Sequence, residues 1–163
     1  IRASERTFQL IAQVAGRTGR SERGGRVLVQ SACPDDPAIR FACEHDYAGF
    51  VKHELAHRRA TLTPPFTSLA RVILRSPDET AVADTARGTA ELLRKLQPDP
   101  PPVRILGPAP APISRVKNYY RYHMQLAAET PEEIRELWLS AVSDLPKHPS
   151  VESVIDADPL NLR

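Results

Sequence analysis

Apolar and polar residues alternate in two stretches of the second half of the chain. Over 69–75, three apolar residues fall on one face and Arg71 and Arg75 on the other, which is typical of a half-buried strand. The stretch 120–126 alternates in the same way. We therefore predict a strand in each.

A helix start signal follows each predicted strand. Ser76 is predicted to cap the first helix, with Pro77 at its first position and Glu79 completing a capping box. The same residue order returns at 130–133, Thr-Pro-Glu-Glu, before apolar residues at helical spacing that stop at Pro146. We therefore predict two amphipathic helices.

Each predicted helix is followed by a short apolar run, at 103–106 and at 151–155. The order is then strand, helix, strand, strand, helix, strand. Two βαβ halves of this length predict a ferredoxin-like (split βαβ) sandwich, an α+β fold with both helices on one face of an antiparallel sheet. The proline-rich stretch 107–112 is predicted to be a stiff, extended arm between the two middle strands.

The first sixty residues are mostly helical by pattern. We predict a helix from a cap at Ser4 to Gly16, a basic, glycine-rich loop over 16–25, and a strand over 26–31. A helical region from Pro37 to about residue 62, broken near Asp46, completes this part. Because a single strand gives a poor independent core, we expect two domains, 1–63 and 64–163, of which the first is the end of a larger α/β domain.

The composition limits the class of protein. The chain has 163 residues, 41% hydrophobic and 26% charged, and its first residue is not methionine, so we expect a piece of a longer globular protein. No apolar run approaches the ~20 residues of a membrane helix. A net charge of +2 does not by itself imply a nucleic-acid partner. Two cysteines cannot build a disulfide framework, and a reducing cytoplasm is the simplest location.

The strongest chemical pattern is Q-x-x-G-R-x-G-R over 13–20, with Gln13, Arg17 and Arg20 as its polar positions. It resembles motif VI of superfamily 2 helicases and translocases, whose arginines reach the ATP phosphates across the cleft between two motor lobes. A planar, permanently charged guanidinium suits charge that develops on the γ-phosphoryl oxygens. Since the chain has no phosphate-loop motif, it would supply only the second lobe's share of the site. A basic surface loop is the alternative.

A competing pattern is His53-Glu54-Leu55-Ala56-His57, which matches the H-E-x-x-H motif of zinc metalloproteases. Two imidazoles one helical turn apart can bind zinc, and the glutamate can act as a general base. The glycine and the third histidine of the extended motif are absent. We therefore favour an exposed helix face and predict no metal site.

A basic, aromatic stretch over 115–123 is a candidate for DNA binding. Arg115, Lys117 and Arg121 would neutralise phosphates, and Tyr119 would stack on a base. The stretch contains no acidic residue. A strand whose tyrosines simply pack is an equally good interpretation.

Short motifs from one end of the chain to the other resemble a known family. They are Ala3-Ser4-Glu5-Arg6, 13–20, 25–30, 45–47, 64–66, 106–112 and 156–159. In this order they are similar to the C-terminal quarter of the PriA family of primosomal replication-restart helicases (primosomal protein N′). By matching positions, Arg17 and Arg20 correspond to the motif VI arginines at the ATP phosphates. Gln13 corresponds to the residue that helps couple the lobes.

The resemblance implies a fold, an activity and partners. The fold is the end of a RecA-like helicase lobe 2 followed by a ferredoxin-like domain, α/β plus α+β. The activity is that of an ATP-dependent 3′→5′ DNA helicase that restarts stalled forks and assembles the primosome, although this fragment alone is not expected to be active. ATP with Mg2+ would be the cofactor, and zinc would sit in a cysteine-rich insertion that this sequence lacks, so Cys33 and Cys43 do not inherit that role.

The partners implied are branched or forked DNA, single-strand DNA-binding protein and other primosome proteins, all in the cytoplasm and without a membrane. A stand-alone nucleic-acid-binding domain is the alternative, and a zinc metalloprotease a remote one.

Overall fold

The computed structural model describes residues 2–18 and 26–159. The chain forms two compact units, Ile1–Leu62 and Thr63–Arg163. The first contains helices α1 (Ala3–Thr18), α2 (Pro37–Cys43) and α3 (Tyr47–Ala60). The second contains β1 (Ser68–Ser76), α4 (Glu79–Lys95), β2 (Arg104–Val116), β3 (Tyr119–Ala128), α5 (Pro131–Ala141) and β4 (Glu152–Ala157). Neither unit has, in its described part, a helix long and apolar enough to cross a membrane.

The first unit packs around two stacked phenylalanines. The rings of Phe8 on α1 and Phe50 on α3 lie 4.6 Å apart between centroids, and both side chains are buried. The break predicted near Asp46 is confirmed: its carboxylate accepts a hydrogen bond from the Gly49 N–H at 2.8 Å and caps α3. An N-terminal cap of this kind satisfies an amide that the helix itself leaves unpaired.

Two predictions for the first unit are wrong. Residues 26–31 form no strand, because no described segment of this unit offers an edge to pair with, and Leu28 is 95% exposed. Helix α1 continues through Gly16 to Thr18 and includes Ser4, since one glycine weakens a helix by about 1 kcal/mol without ending it. Residues 19–25 of the predicted loop lie outside the described residues.

The second unit is an α+β sandwich. Its four strands form one sheet in the order β2-β3-β1-β4, and every neighbouring pair is antiparallel. Helices α4 and α5 pack against β1 and β3. The buried core on that face contains Ala70, Val72, Leu74, Met124 and Leu126 from the strands and Val82, Leu93, Ile134 and Leu137 from the helices. The predicted order of strands and helices is confirmed.

The two helix starts differ in how they match the prediction. The capping box at Thr130 is confirmed, with the Thr130 N–H donating to Glu133 Oε2 at 3.0 Å. The cap of α4 is Asp78 rather than Ser76. Ser76 ends β1, and its hydroxyl accepts from the Asp78 N–H at 3.1 Å, so it positions the cap. Helix α5 ends at Ala141, before the predicted stop at Pro146.

The proline-rich stretch 107–112 is part of strand β2 and not a linker, which corrects the sequence prediction. Strand β2 lies at the edge of the sheet, where a proline is tolerated because a nitrogen that faces away from the neighbouring strand needs no ladder hydrogen bond. Its register with β3 shifts between Leu106 and Ala109 and again after Pro110. Lys117 and Asn118, with φ of 49° and 65°, form the two-residue turn into β3.

Replacing Gly107 by alanine is expected to destabilise the second unit by about 1–3 kcal/mol. Gly107 has φ of 97°, and an added Cβ would lie 3.0 Å from the His123 carbonyl oxygen. Gly16→Ala is the control, because nothing lies within 4 Å of a Cβ there and alanine favours a helix. Urea denaturation measures both, and an unchanged midpoint for Gly107→Ala would contradict the expected strain.

Candidate functional site

Two of the three motif VI positions lie in the described part of α1. Gln13 and Arg17 are both exposed and are four residues apart, so they share one face of the helix. Arg17 is in the last turn. Arg20 lies outside the described residues, and its role stays a prediction.

A buried arginine fixes helix α1 on helix α3. The Arg58 guanidinium is 2.7 Å from a Glu5 carboxylate oxygen on α1 and 2.9 Å from Glu54 on its own helix. Its side chain is only 10% exposed. The i,i+4 spacing of Glu54 and Arg58 was the only sequence signal for this cluster, and the contact with Glu5 had none.

The same cluster bears on the H-E-x-x-H pattern. Glu54, which would be the general base of a zinc protease, instead accepts a charge-assisted hydrogen bond from Arg58 Nε at 2.9 Å. The His53 ring lies 5.9 Å from the Phe41 ring. The described ranges contain no group of three or more residues arranged to hold a metal ion.

The face of the sheet opposite α4 and α5 is rich in cations. Arg71, towards one end of it, is buried and pairs with Asp156 at 3.2 Å, whereas Ile73 and Arg75, further along the same strand, are half-buried and exposed. Strand β1 places Ile73 and Arg75 on it, and strand β3 places Tyr119, Arg121 and His123 there, with Ile73 opposite His123 and Arg75 opposite Arg121. A groove of about 470 Å3 runs across this face. We call it the sheet groove; it is lined by Ile73, Arg75, Val116, Lys117, Tyr119, Arg121, Glu152 and Val154.

One arginine in the sheet groove is held from two sides. Arg75 Nε donates to Glu152 Oε2 at 2.9 Å, and the Arg75 guanidinium lies 5.4 Å from the centre of the Tyr119 ring. The hydrogen bond and the charge of Glu152 raise the pKa of Arg75 above its ordinary value. The pair therefore presents a planar cation beside an aromatic ring.

The structure separates the four residues predicted to contact DNA. Lys117, Tyr119 and Arg121 line the sheet groove. Arg115 does not: its guanidinium lies 5.1 Å from the Tyr120 ring and donates to Asn118. Tyr120 and Tyr122 pack against the core, so the alternative in which tyrosines simply pack holds for these two.

Four residues of the sheet groove were not predicted from the sequence: Ile73, Arg75, Glu152 and Val154. The alternation over 69–75 already placed Arg75 on the face away from the core. What the pattern lacked was the register that brings β1 and β4 beside Tyr119.

His123 makes the stability of the second unit depend on pH. Burial, followed by the charges of Arg71 and Arg121, lowers the pKa of His123 below its ordinary value of 6.5. The unfolded chain then binds a proton that the folded chain does not, so stability falls as the pH drops through 6.5 towards the folded pKa. Between pH 7.5 and 5, we expect His123→Gln to lose less stability than the wild type.

Urea midpoints at the two pH values measure this difference, and His148→Gln, at an exposed histidine of the same unit, is the control. Equal losses in the wild type and His123→Gln would contradict the expectation.

Comparison with known proteins gives consistent matches. The family model described as the primosomal protein N C-terminal domain, PriA_C, matches residues 59–160. The chain is 41% identical over 122 residues to the replication restart protein PriA of Bacillus subtilis, covering 74% of this chain and 15% of that protein. With PriA of Rickettsia typhi it shares 35% identity over 162 residues, covering 98% and 24%. With PriA of Synechocystis it shares 36% over 162 residues, covering 99% and 19%.

The chain thus spans 15 to 24% of the length of these relatives. A de novo designed protein, Foldit4, aligns with 57% of the chain at 14% identity and a TM-score of 0.37, a likeness too low to assign the fold. The family match covers more than half of the chain and includes all of the α+β sandwich. The chain therefore belongs to the PriA_C family of primosomal protein N C-terminal domains, as its sequence motifs predicted.

Proposed function

We propose that the chain is the C-terminal part of an ATP-dependent 3′→5′ DNA helicase that restarts stalled replication forks and assembles the primosome. The observation that carries this proposal is the sequence motif over 13–20, of which Gln13 and Arg17 lie on α1, in a chain whose relatives are named replication restart proteins. Those names support the role in restart. The motif supports the ATP-dependent activity.

Arg17 and Arg20 would bind the ATP phosphates together with a first motor lobe in the complete protein. Arg17 is exposed, and among the described residues it forms no ion pair, so its charge is available to an anionic ligand. A guanidinium fork there stabilises charge on the γ-phosphoryl oxygens. Bound Mg2+ would supply further neutralisation of the phosphates. Gln13, four residues earlier on the same face, would help to couple the two lobes.

The domain assignment is part of the proposal. Residues 1–63 would be the end of a RecA-like lobe 2, and residues 64–163 a ferredoxin-like domain. The strand order β2-β3-β1-β4 with antiparallel neighbours supports the second assignment, since a split βαβ repeat produces this order. Zinc would belong to a cysteine-rich insertion of the complete protein. Cys33 and Cys43, both exposed thiols, would have no part in it.

The second domain would contact branched or forked DNA through Lys117, Tyr119 and Arg121 in the sheet groove and through Arg115 outside it. Single-strand DNA-binding protein and other primosome proteins would be its protein partners, in the cytoplasm. ATP hydrolysis by the complete helicase, compared between the wild type and Arg17→Ala, tests the motor assignment. A stand-alone nucleic-acid-binding domain is the second candidate, favoured by the sheet groove, and it predicts no effect of Arg17.

A further inference from the structure

We propose that the sheet groove binds an unpaired nucleotide of single-stranded DNA, with the base against Tyr119 and the phosphates at Lys117 and Arg121. The inference rests on the DNA contact of the proposed function and adds to it a site and a form of DNA. It does not depend on the ATP site. Four of the eight lining residues come from strands β1 and β4, outside the predicted basic stretch.

The floor of the sheet groove is apolar without being part of the core. Val154 is 59% exposed and Val116 is 40% exposed, and Ile73 lies beside Val154 in the sheet register. These apolar side chains are exposed to water between cations. Covering them with a flat apolar surface lowers the free energy of the system. The face of a nucleobase is such a surface, while its edges stay polar.

Tyr119 and Arg75 give this floor a stacking wall. Arg75 pairs with Glu152 and lies 5.4 Å from the centre of the Tyr119 ring, so the guanidinium and the ring lie side by side before a base binds. Aromatic rings and guanidinium planes are the two groups on which unpaired bases stack. Glu152 would repel a phosphate, but Arg75 compensates its charge.

Lys117 and Arg121 supply the phosphate contacts. Lys117 is exposed at the β2–β3 turn and Arg121 is half-buried. In the part of the chain that the structure describes, neither forms an ion pair. Tyr119 and Arg121 lie about 6.8 Å apart along one face of β3, two residues at the antiparallel rise. A backbone following this strand would pass the ring and the cation in turn.

Unpaired DNA fits this arrangement better than duplex DNA. In a duplex, the base faces are covered by their neighbours and only the edges are accessible, so the Tyr119 wall would have nothing to stack on. An acidic peptide would also match the cations, so the experiment has to distinguish peptide binding from DNA binding.

Fluorescence anisotropy on the 163-residue chain tests the site with three probes of equal length: an oligothymidylate, the same backbone with abasic positions, and a blunt duplex. We expect the oligothymidylate to bind roughly 10-fold more tightly than the abasic strand, given the size of base–aromatic stacking. Tyr119→Leu should weaken oligothymidylate binding by a similar factor and leave abasic binding unchanged. Tyr119→Trp should retain it.

The charge contacts have a matched control. Arg121→Ala should weaken binding of both single strands and flatten the salt dependence. Arg135→Ala removes an exposed arginine from α5, on the helical side of the sheet, and should change neither. Far-UV circular dichroism verifies that each variant is folded.

The outcomes separate this inference from the proposed function. Equal binding of normal and abasic strands, or no effect of Tyr119→Leu, would overturn the base site and leave a general DNA contact standing. No binding of any DNA would overturn both the site and the DNA contact, and the ATP assignment would still be decided by Arg17. Binding of a Glu-rich peptide that requires Tyr119, with no DNA bound, would assign the sheet groove to a protein partner and overturn the inference.

Discussion

Arg17→Ala in the complete protein should, under the proposed function, lower DNA-stimulated ATP hydrolysis by about 10³-fold or more, the size of effect that an arginine has on phosphoryl transfer in well-studied nucleotide hydrolases. Arg17 is exposed in the last turn of α1 and does not support the core of its unit. The loss should therefore appear in kcat, because the guanidinium stabilises the transition state, while DNA binding stays close to that of the wild type.

Two further variants sharpen this measurement. Arg6→Ala, at an exposed arginine in the first half of the same helix, should leave ATP hydrolysis unchanged. Arg17→Lys keeps the charge but loses the planar fork, so we expect it to recover only part of the activity. A kcat for Arg17→Ala within a factor of two of the wild type would remove the motor assignment and leave the chain as a nucleic-acid-binding domain.

Leu74→Ala is expected to have the largest effect on folding, a loss of about 2–5 kcal/mol in the free energy of unfolding of the second unit. Leu74 is 1% exposed on β1, which pairs with both β3 and β4. A cavity there removes contacts with strands and helices at once, and neighbours held by the sheet ladder relax little.

The same substitution at Leu139 is the control. Leu139 lies on α5 but is 55% exposed, so Leu139→Ala should change stability by no more than about 0.5 kcal/mol. Urea denaturation followed by circular dichroism measures both variants. Comparable losses at the two positions would mean that the core does not lie between the sheet and the two helices.

The parts of the fold that the sequence predicted are those set by local signals. Period-two alternation on β1 and β3 and the capping box at Thr130 act over a few residues, and all three predictions are confirmed. The prediction of a strand at 26–31 was wrong because a strand requires a pairing partner, and the local sequence pattern does not show whether one is present. The prediction of a linker at 107–112 was wrong for a related reason. Prolines are compatible with a linker and with an edge strand, and only the order of the strands in the sheet decides between them.

In the candidate site, too, residues close together in the sequence were predicted and residues brought together by the fold were not. Lys117, Tyr119 and Arg121 were found because they are close together in the sequence. Arg75 and Val154 join them only through pairings that bring together residues far apart in the chain. Arg115 was grouped with them by proximity, yet its guanidinium lies over Tyr120. Whether a residue belongs to the sheet groove is therefore determined by the sheet face on which it lies and by the strand register, and not by local composition.

The edges of the sheet also affect how the molecule behaves at high concentration. Exposed strand edges are templates on which other chains add strands and aggregate. Each proline of β2 lacks the amide donor that such an addition needs. The β2 edge of the sheet therefore resists edge-to-edge association through its sequence, while the sheet groove stays accessible for binding.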